Sequence, residues 1–317
     1  VTMGSPGSVG GERVKKAFSI LLCSLALGMG GCMGNPAVGH IERHHAGMDG
    51  LIGPGAAIEP IAQGFTWSEG PVWIEDGRYL LFSDVPENRM YRWSEDKGLS
   101  VFLQPSGYAG PEPSYFREPG SNGLIRGPGN TILVADHGNR AVARLDLATK
   151  RKTFLATHYQ GKGFNSPNDL VRAKDGAIYF TDPPYGLEGL NESPHKELPH
   201  NGVYRLDIDG TVTLVEAGMS FPNGIILSPD ERTLYVANSD PERAVIMAFS
   251  HGENGLPTGG RVFADMTALA KSGLPGLPDG MAIDRGGNLF ATGPAGVHIL
   301  APPGTGVGRI DTRKAAA

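Results

Sequence analysis

The chain has 317 residues, 40% of them hydrophobic, with 47 glycines, 25 prolines and only 8% aromatics. That is enough apolar material for a large core, and the many turn residues suit short strands better than long helices. A net charge of −5 and a pI near 6.0 leave no basic footprint, which argues against nucleic acid and in favour of small solutes as partners.

In chain order, residues 1–13 fit neither a leader nor a fold, and the natural start is expected near Val14. Lys15 and Lys16, an apolar run from Ala17 to Met29 and small residues before Cys32 have the layout of a secretory signal. The run is too short to span a bilayer comfortably. Residues 1–36 are therefore read as a non-native start plus a signal segment, which makes the protein extracytoplasmic, either periplasmic or secreted. A lipid anchor at Cys32 is the one route to a membrane, although the sequence MGGC lacks the usual leucine three residues before the cysteine. Both cysteines, Cys23 and Cys32, fall in this segment, so the mature domain has no internal disulfide. Residues 37–57 read as a linker whose His40, His44 and His45 are expected to be solvated. Residues 58–317 form the folded domain.

Within that domain one unit returns. Its copies read EGPVWIEDGRYLLFSDVPENRMYRW, SNGLIRGPGNTILVADHGNRAVARLD, PNDLVRAKDGAIYFTDPPYG with a later GVYRLD, PNGIILSPDERTLYVANSDPERAVIMAFS, and PDGMAIDRGGNLFATGPAGVHILAP. Each opens on a polar residue: Glu69, Asn122, Asn168, Asn223 or Asp279. An alternating strand follows, then a tight turn such as Lys174-Asp175-Gly176 or Pro229-Asp230-Glu231, then two further strands. Steps of about 46 to 56 residues between the openings predict an all-β propeller rather than a sandwich. In a propeller the first strand of each blade lines the central channel, so the five openings converge on one rim. The second strands end on that rim too, bringing up Asp84, Asp136 and His137, Asp182 to Tyr185, and Asn238. The long connections 104–121 and 183–201 are placed to roof the channel.

The motifs WSEGPVW, NSPNDLV, YFTDPPYGL, FPNGI and LPDGMAID, taken together and in order, resemble the gluconolactonase and regucalcin-like family of six-bladed propellers over residues 58–312. The resemblance implies a calcium-dependent lactone hydrolase with the ion at the channel mouth. It carries the ligands onto Glu69, Asn168, Asn223 and Asp279. The residue types agree: two carboxylates and two amides make a hard, all-oxygen set of charge −2, suited to Ca2+, with Mg2+ or Mn2+ as substitutes and zinc disfavoured. Asparagine and aspartate also cap turns, but four at equivalent repeat positions, together with a glutamate, exceed what capping needs.

A bound cation polarises a lactone carbonyl, so no covalent nucleophile is required. Ser68 and Ser166 lie near the ring without a His and carboxylate pair positioned to activate them. Asp279 is the preferred base for the attacking water and Asp169 the alternative, although one step further along the strand Asp169 is expected to point away and bond backbone. Asn122, His137 and Tyr185 are candidate contacts for substrate hydroxyls.

The strand count departs from the resemblance. Five blades are accounted for, and AAIEPIAQGF (residues 56–65) reads as the outer strand that an N-terminus lends to the last blade. The sequence after Lys314 is roughly 25 to 30 residues short of a completed sixth blade, so that blade is expected to be incomplete unless the ring closes differently. The expected reaction is hydrolysis of a glucono-1,5-lactone-like sugar lactone to its aldonic acid. A non-enzymatic calcium- or sugar-binding propeller, or a metal-dependent esterase or phosphotriesterase on the same site, are the competing readings. The pattern fixes no oligomeric state.

Overall fold

The computed structural model describes residues 39–111, 115–252 and 255–317; the signal segment and Cys32 lie outside them. Nearly everything described is strand, turn or loop, and the one α-helix, Thr267–Lys271, is a single short segment. No helix among the described residues is long and apolar enough to cross a membrane.

Five antiparallel sheets follow one another along the chain. Blade I is Ser68–Ile74, Tyr79–Asp84, Arg89–Ser94 and Gly98–Leu103. Blade II is Ser121–Arg126, Thr131–Asp136, Ala141–Asp146 and Lys152–Ala156. Blade III is Leu170–Arg172, Ile178–Asp182, Gly202–Leu206 and Val212–Glu216. Blade IV is Pro222–Leu227, Thr233–Asn238, Val245–His251 and Pro257–Asp265. Blade V is Met281–Ile283, Leu289–Gly293, Gly296–Ala301 and Thr305–Asp311. Strand order equals chain order in every blade, so the chain runs from the axis outward by hairpins. The turns follow the sequence: Gly176 takes φ +96 while its N–H donates to Ala173 O, and the N–H of Ala177 donates to Asp175 Oδ1.

The apolar cores lie between blades rather than within them. Leu81, Met90, Ile132 and Leu145, all fully buried, join blades I and II. Phe164, Phe180 and Tyr204 pack with Leu133 and Val142 between II and III; Tyr179, Val203, Val236 and Met247 join III to IV; Tyr235, Ile246, Leu289 and Ala291 join IV to V. Each fully buried aliphatic side chain contributes about 1.5–3 kcal/mol. The inner strands of consecutive blades pack side by side from I to V, whereas among the described residues no comparable packing joins V back to I. A cavity beside blade I is lined by residues 61–69, by Pro71, Leu80 and Phe82, and by residues 314–317.

Two expectations are corrected here. The described residues build five blades, not six. The N-terminal strand is not residues 56–65, which form no ladder and are interrupted by Pro60, a residue without an N–H to give. Instead His40–Arg43, inside the segment read as a linker, pairs antiparallel with Thr305–Asp311 as a fifth strand of blade V. Behind it Met48, fully buried, packs on Ile299 and Val307, and the three histidines are engaged: His40 and His44 bond Glu42, and His45 Nδ1 accepts from Gly47 N–H.

Candidate active site

Five side chains open the five blades, and all five line one cavity of about 360 Å3: Glu69, Asn122, Asn168, Asn223 and Asp279. They also border the channel beneath it, so they form the floor between mouth and channel. Two local devices set their height. The first is a glycine after the opening residue in four of the blades. A β-carbon on Gly70 would meet Asn122 O at 2.5 Å, one on Gly123 would meet Asn168 O at 2.8 Å, and one on Gly224 would collide with Asp279 O. The inner strands of blades I, II and IV thus pack under the carbonyl of the next blade's opening residue, a spacing only glycine permits. Blade III has Asp169 instead. Its Oδ1 accepts from Leu170 N–H at 2.8 Å and its Oδ2 from Ile225 N–H at 3.1 Å, so it ties blade III to blade IV.

The second device is the residue ending the second strand. Asp84 accepts from the N–H groups of Thr66 and Trp67, Asp182 from those of Asn165 and Ser166, and Asn238 from that of Phe221. In these three blades the clamped backbone lies two or three residues before the opening side chain. These residues, read from sequence as a second tier of the rim, hold the first tier in place. Asp136 instead accepts from the backbone and side-chain N–H groups of Asn139 and pairs with Lys152.

The two long connections roof the cavity as expected and are tied together. Arg117 N–H donates to Gly186 O at 3.0 Å, and Glu188 N–H to Tyr115 O at 2.9 Å. Arg117 and Glu118 from one loop and Tyr185 from the other line the cavity, with Trp67, Ser239 and Leu277. Tyr185 stacks on Phe221 at 5.7 Å, and its buried hydroxyl makes no hydrogen bond of good geometry among the described residues.

Residues 67–316 match the family described as SMP-30/Gluconolactonase/LRE-like region. The chain belongs to this family. A gluconolactonase from Zymomonas mobilis is 49% identical over 280 residues, which are 88% of this chain and 79% of that protein. A pentonolactonase from Haloferax volcanii is 26% identical over 77% of this chain and 72% of its own length. Among solved structures, a gluconolactonase from Xanthomonas campestris superposes with a TM-score of 0.74 at 33% identity, covering 89% of this chain and 90% of that one. These likenesses indicate a lactone hydrolase.

The electrostatics of this family member's cavity are those of crowded acids. Burial pushes the Glu69 carboxyl well above its ordinary range, the Asp279 charge pushes it further, and the hydrogen bond from Trp67 opposes both. Asp279 is raised to about 7 by burial and by the charges of Asp169 and Glu118. Asp169 is raised to about 6 by burial alone. The Tyr185 hydroxyl is raised by burial and then by Asp279. Unpaired carboxylates held this close want a cation between them.

The amides answer more directly. Ser239 Oγ lies against Pro278 O, which can only accept, so the serine hydroxyl donates there and must accept from Asn223 Nδ2–H at 2.9 Å. That turns Asn223 Oδ1 inward, toward Asn168. One inward amide oxygen and two carboxylates at one mouth fit a hard divalent ion, while the Asn168 amide turns its nitrogen to Asn223 and its oxygen back to Asn122 and His137.

Of the predicted site residues, Glu69, Asn122, Asn168, Asn223, Asp279 and Tyr185 come together on the cavity wall. His137 does not: it is fully buried behind Asn122 and Asn168. Ser166 Oγ donates to Pro183 O at 2.6 Å and accepts from Gly186 N–H, so it is a loop brace and no nucleophile. Sequence reasoning missed Trp67, Glu118 and Ser239. Trp67 stands inside the quoted WSEGPVW motif, two residues before Glu69, and that spacing was its only signal. A separate group, His40, Glu42 and Asp311, converges at the outer edge of blade V, where Arg309 already pairs with Glu42.

Proposed function

We propose that the protein hydrolyses a sugar lactone of the glucono-1,5-lactone type to its aldonic acid, with Ca2+ held by Glu69, Asn168, Asn223 and Asp279. The observation that carries this reading is the convergence of those four side chains on one cavity, with Asn223 Oδ1 fixed inward by Ser239. The 49% identical gluconolactonase supports the substrate class. When bound, the ion supplies a Lewis acid that polarises the lactone carbonyl and offsets the charge developing on its oxygen.

The chain's own groups do the rest. Asp279 accepts a proton from the water that adds to the carbonyl carbon. The ring C–O bond then breaks, and the proton held at Asp279 passes to the departing alkoxide, giving the hydroxyl of the aldonic acid. Tyr185 O–H, which makes no hydrogen bond of good geometry among the described residues, donates to a substrate oxygen. Trp67, 42% exposed at the mouth, offers its face to the C–H side of a sugar ring. The localisation we propose is extracytoplasmic, on the signal-like layout of residues 14–32.

A pH-stat assay over a panel of aldono-lactones, aryl esters and phosphotriesters, with and without chelator, tests the reading. Acid release from an aldono-lactone that stops with chelator and returns with calcium is expected. Absence of metal-dependent release from every lactone would overturn it, and turnover confined to aryl esters or phosphotriesters would move the substrate class.

A further inference from the structure

Behind the ring lies a buried polar unit that the proposed reaction does not use. His137, immediately after the second strand of blade II, is fully buried. Its Nε2 lies 3.1 Å from Asn168 Oδ1 and 3.2 Å from Asn122 Nδ2, and its Nδ1 lies 3.3 Å from Glu118 Oε2. Asn122 Nδ2 also reaches Asn168 Oδ1 at 2.9 Å, and Asn168 Nδ2 donates to Asn223 Oδ1. Two atoms of this unit are left without an aligned hydrogen bond, His137 Nδ1 and Asn122 Oδ1.

Buried polar atoms without partners are costly, and two in one small network point to a second arrangement of the same groups. An amide exchanges its oxygen and nitrogen by a half-turn, and an imidazole exchanges donor and acceptor by moving one proton. In the arrangement described, Asn168 turns its oxygen away from the cavity and its nitrogen toward Asn223 Oδ1. A cation ligand needs the reverse.

We infer that Glu118 and His137 form a positioning pair that turns the amide oxygen of Asn168 toward the cation site. The inference rests on the reading of the ring as a cation site. If Glu118 accepts the proton of His137 Nδ1, then Nε2 is an acceptor only. Asn168 must then present Nδ2 to it, while the second N–H of that amide reaches a turned Asn122 Oδ1. His137 Nδ1 and Asn122 Oδ1 acquire partners, and the turned Asn122 Nδ2 takes the position its oxygen held. Asn168 Oδ1 then faces Asn223 Oδ1, whose own direction is fixed by Ser239. Two amide oxygens facing each other repel unless a cation stands between them, so the pair stores a preference for the loaded state. Blades III and IV thus orient their amides by different means: a serine against a carbonyl for Asn223, and a glutamate through a histidine for Asn168.

The test combines calcium calorimetry with 15N NMR of the imidazole rings, His137 being assigned by the loss of its signals in His137→Leu. In the calcium-loaded parent, Nδ1 is expected to be protonated and Nε2 not. His137→Leu should weaken calcium binding roughly 10–100-fold, the usual range for a residue behind a ligand. His137→Gln, which restores an acceptor near the Nε2 position, should recover most of that loss. A parent ring with Nε2 protonated when calcium is bound would overturn the inference even if the Leu variant failed to fold. So would a folded Leu variant that binds like the parent. If the parent binds no calcium, or Asn168→Ala binds it unchanged, the cation-site reading itself falls and the positioning role falls with it.

Discussion

Trp67 donates its indole N–H to Glu69 Oε1 at 2.8 Å, so the aromatic ring at the mouth of the cavity also holds one of the two carboxylates proposed as ligands. The bond stabilises the ionised carboxylate against the burial that favours the protonated form. Trp67→Phe keeps a ring and deletes the donor. Calcium affinity near pH 7 should fall by about tenfold, the scale of a hydrogen bond to a charged group. Titration calorimetry checks this; equal affinity would show that Glu69 needs no help to ionise.

Glu69→Gln and Asp279→Asn should act in opposite directions on binding and on stability. Each removes a charge from the cavity, so calcium binding and metal-dependent hydrolysis should collapse. Each also removes part of the repulsion between buried carboxylates, so in chelator the variants should melt above the parent. Differential scanning calorimetry with and without calcium reads both effects, and a lowered melting point in chelator for both variants would contradict the crowding argument.

The same acids set a pH dependence. Asp169 is raised to about 6, and Asp182 and Asp279 to about 7, chiefly by burial. Because these folded values exceed the unfolded ones, the native chain binds more protons than the unfolded chain between about pH 4 and pH 7. Stability in chelator should therefore be greatest near the acid end of that window and fall as pH rises through it, on the order of a few kcal/mol in all. Calcium should flatten the fall, since a cation favours the ionised carboxylates, and its binding at pH 6 should release protons. Urea unfolding across the window and calorimetry in buffers of different ionisation enthalpy measure the two.

Gly70→Ala tests the packing of inner strands. The position has φ +56, and an added β-carbon would lie 2.5 Å from Asn122 O, 2.7 Å from Leu124 N and 2.8 Å from Gly123 Cα, all backbone atoms that cannot swing aside. A loss of about 2 kcal/mol or more is expected, which lowers the melting point by about 4–8 °C. An unshifted melting curve would mean that blades I and II approach less closely than described.

Much of this was legible in the sequence for a physical reason: a propeller repeats one supersecondary unit, so five polar openings at a regular spacing had to meet on one rim. The turn at Asp175-Gly176 was legible too, because its chemistry is local. What stayed hidden depends on loop paths and on distance. Glu118 reaches the cavity only because residues 115–118 cross to residues 186–188. The clamping role of Asp84, Asp182 and Asn238 needs the register of two strands, not their sequence. His137 reads from sequence as a substrate contact because nothing in DHGNR reveals that Glu118 and Asn168 enclose it. The N-terminal strand was misplaced because AAIEPIAQGF carries more apolar residues than HIER, whereas the edge of blade V had backbone groups to pair with HIER.

The ring's charges are not spread evenly around it. Both carboxylates proposed as ligands, Glu69 and Asp279, stand on blades I and V, the pair whose inner strands lack the packing found between all the others, while both proposed amides stand on the firmly joined blades III and IV. Repulsion between the acids therefore acts across the weakest seam of the molecule, where little apolar contact resists it. A dication shared by the two would work as a clasp at that seam, so the ion proposed for chemistry would also act as a mechanical fastener. The first motion on its removal would be a parting of blades I and V rather than a loosening of the whole wheel.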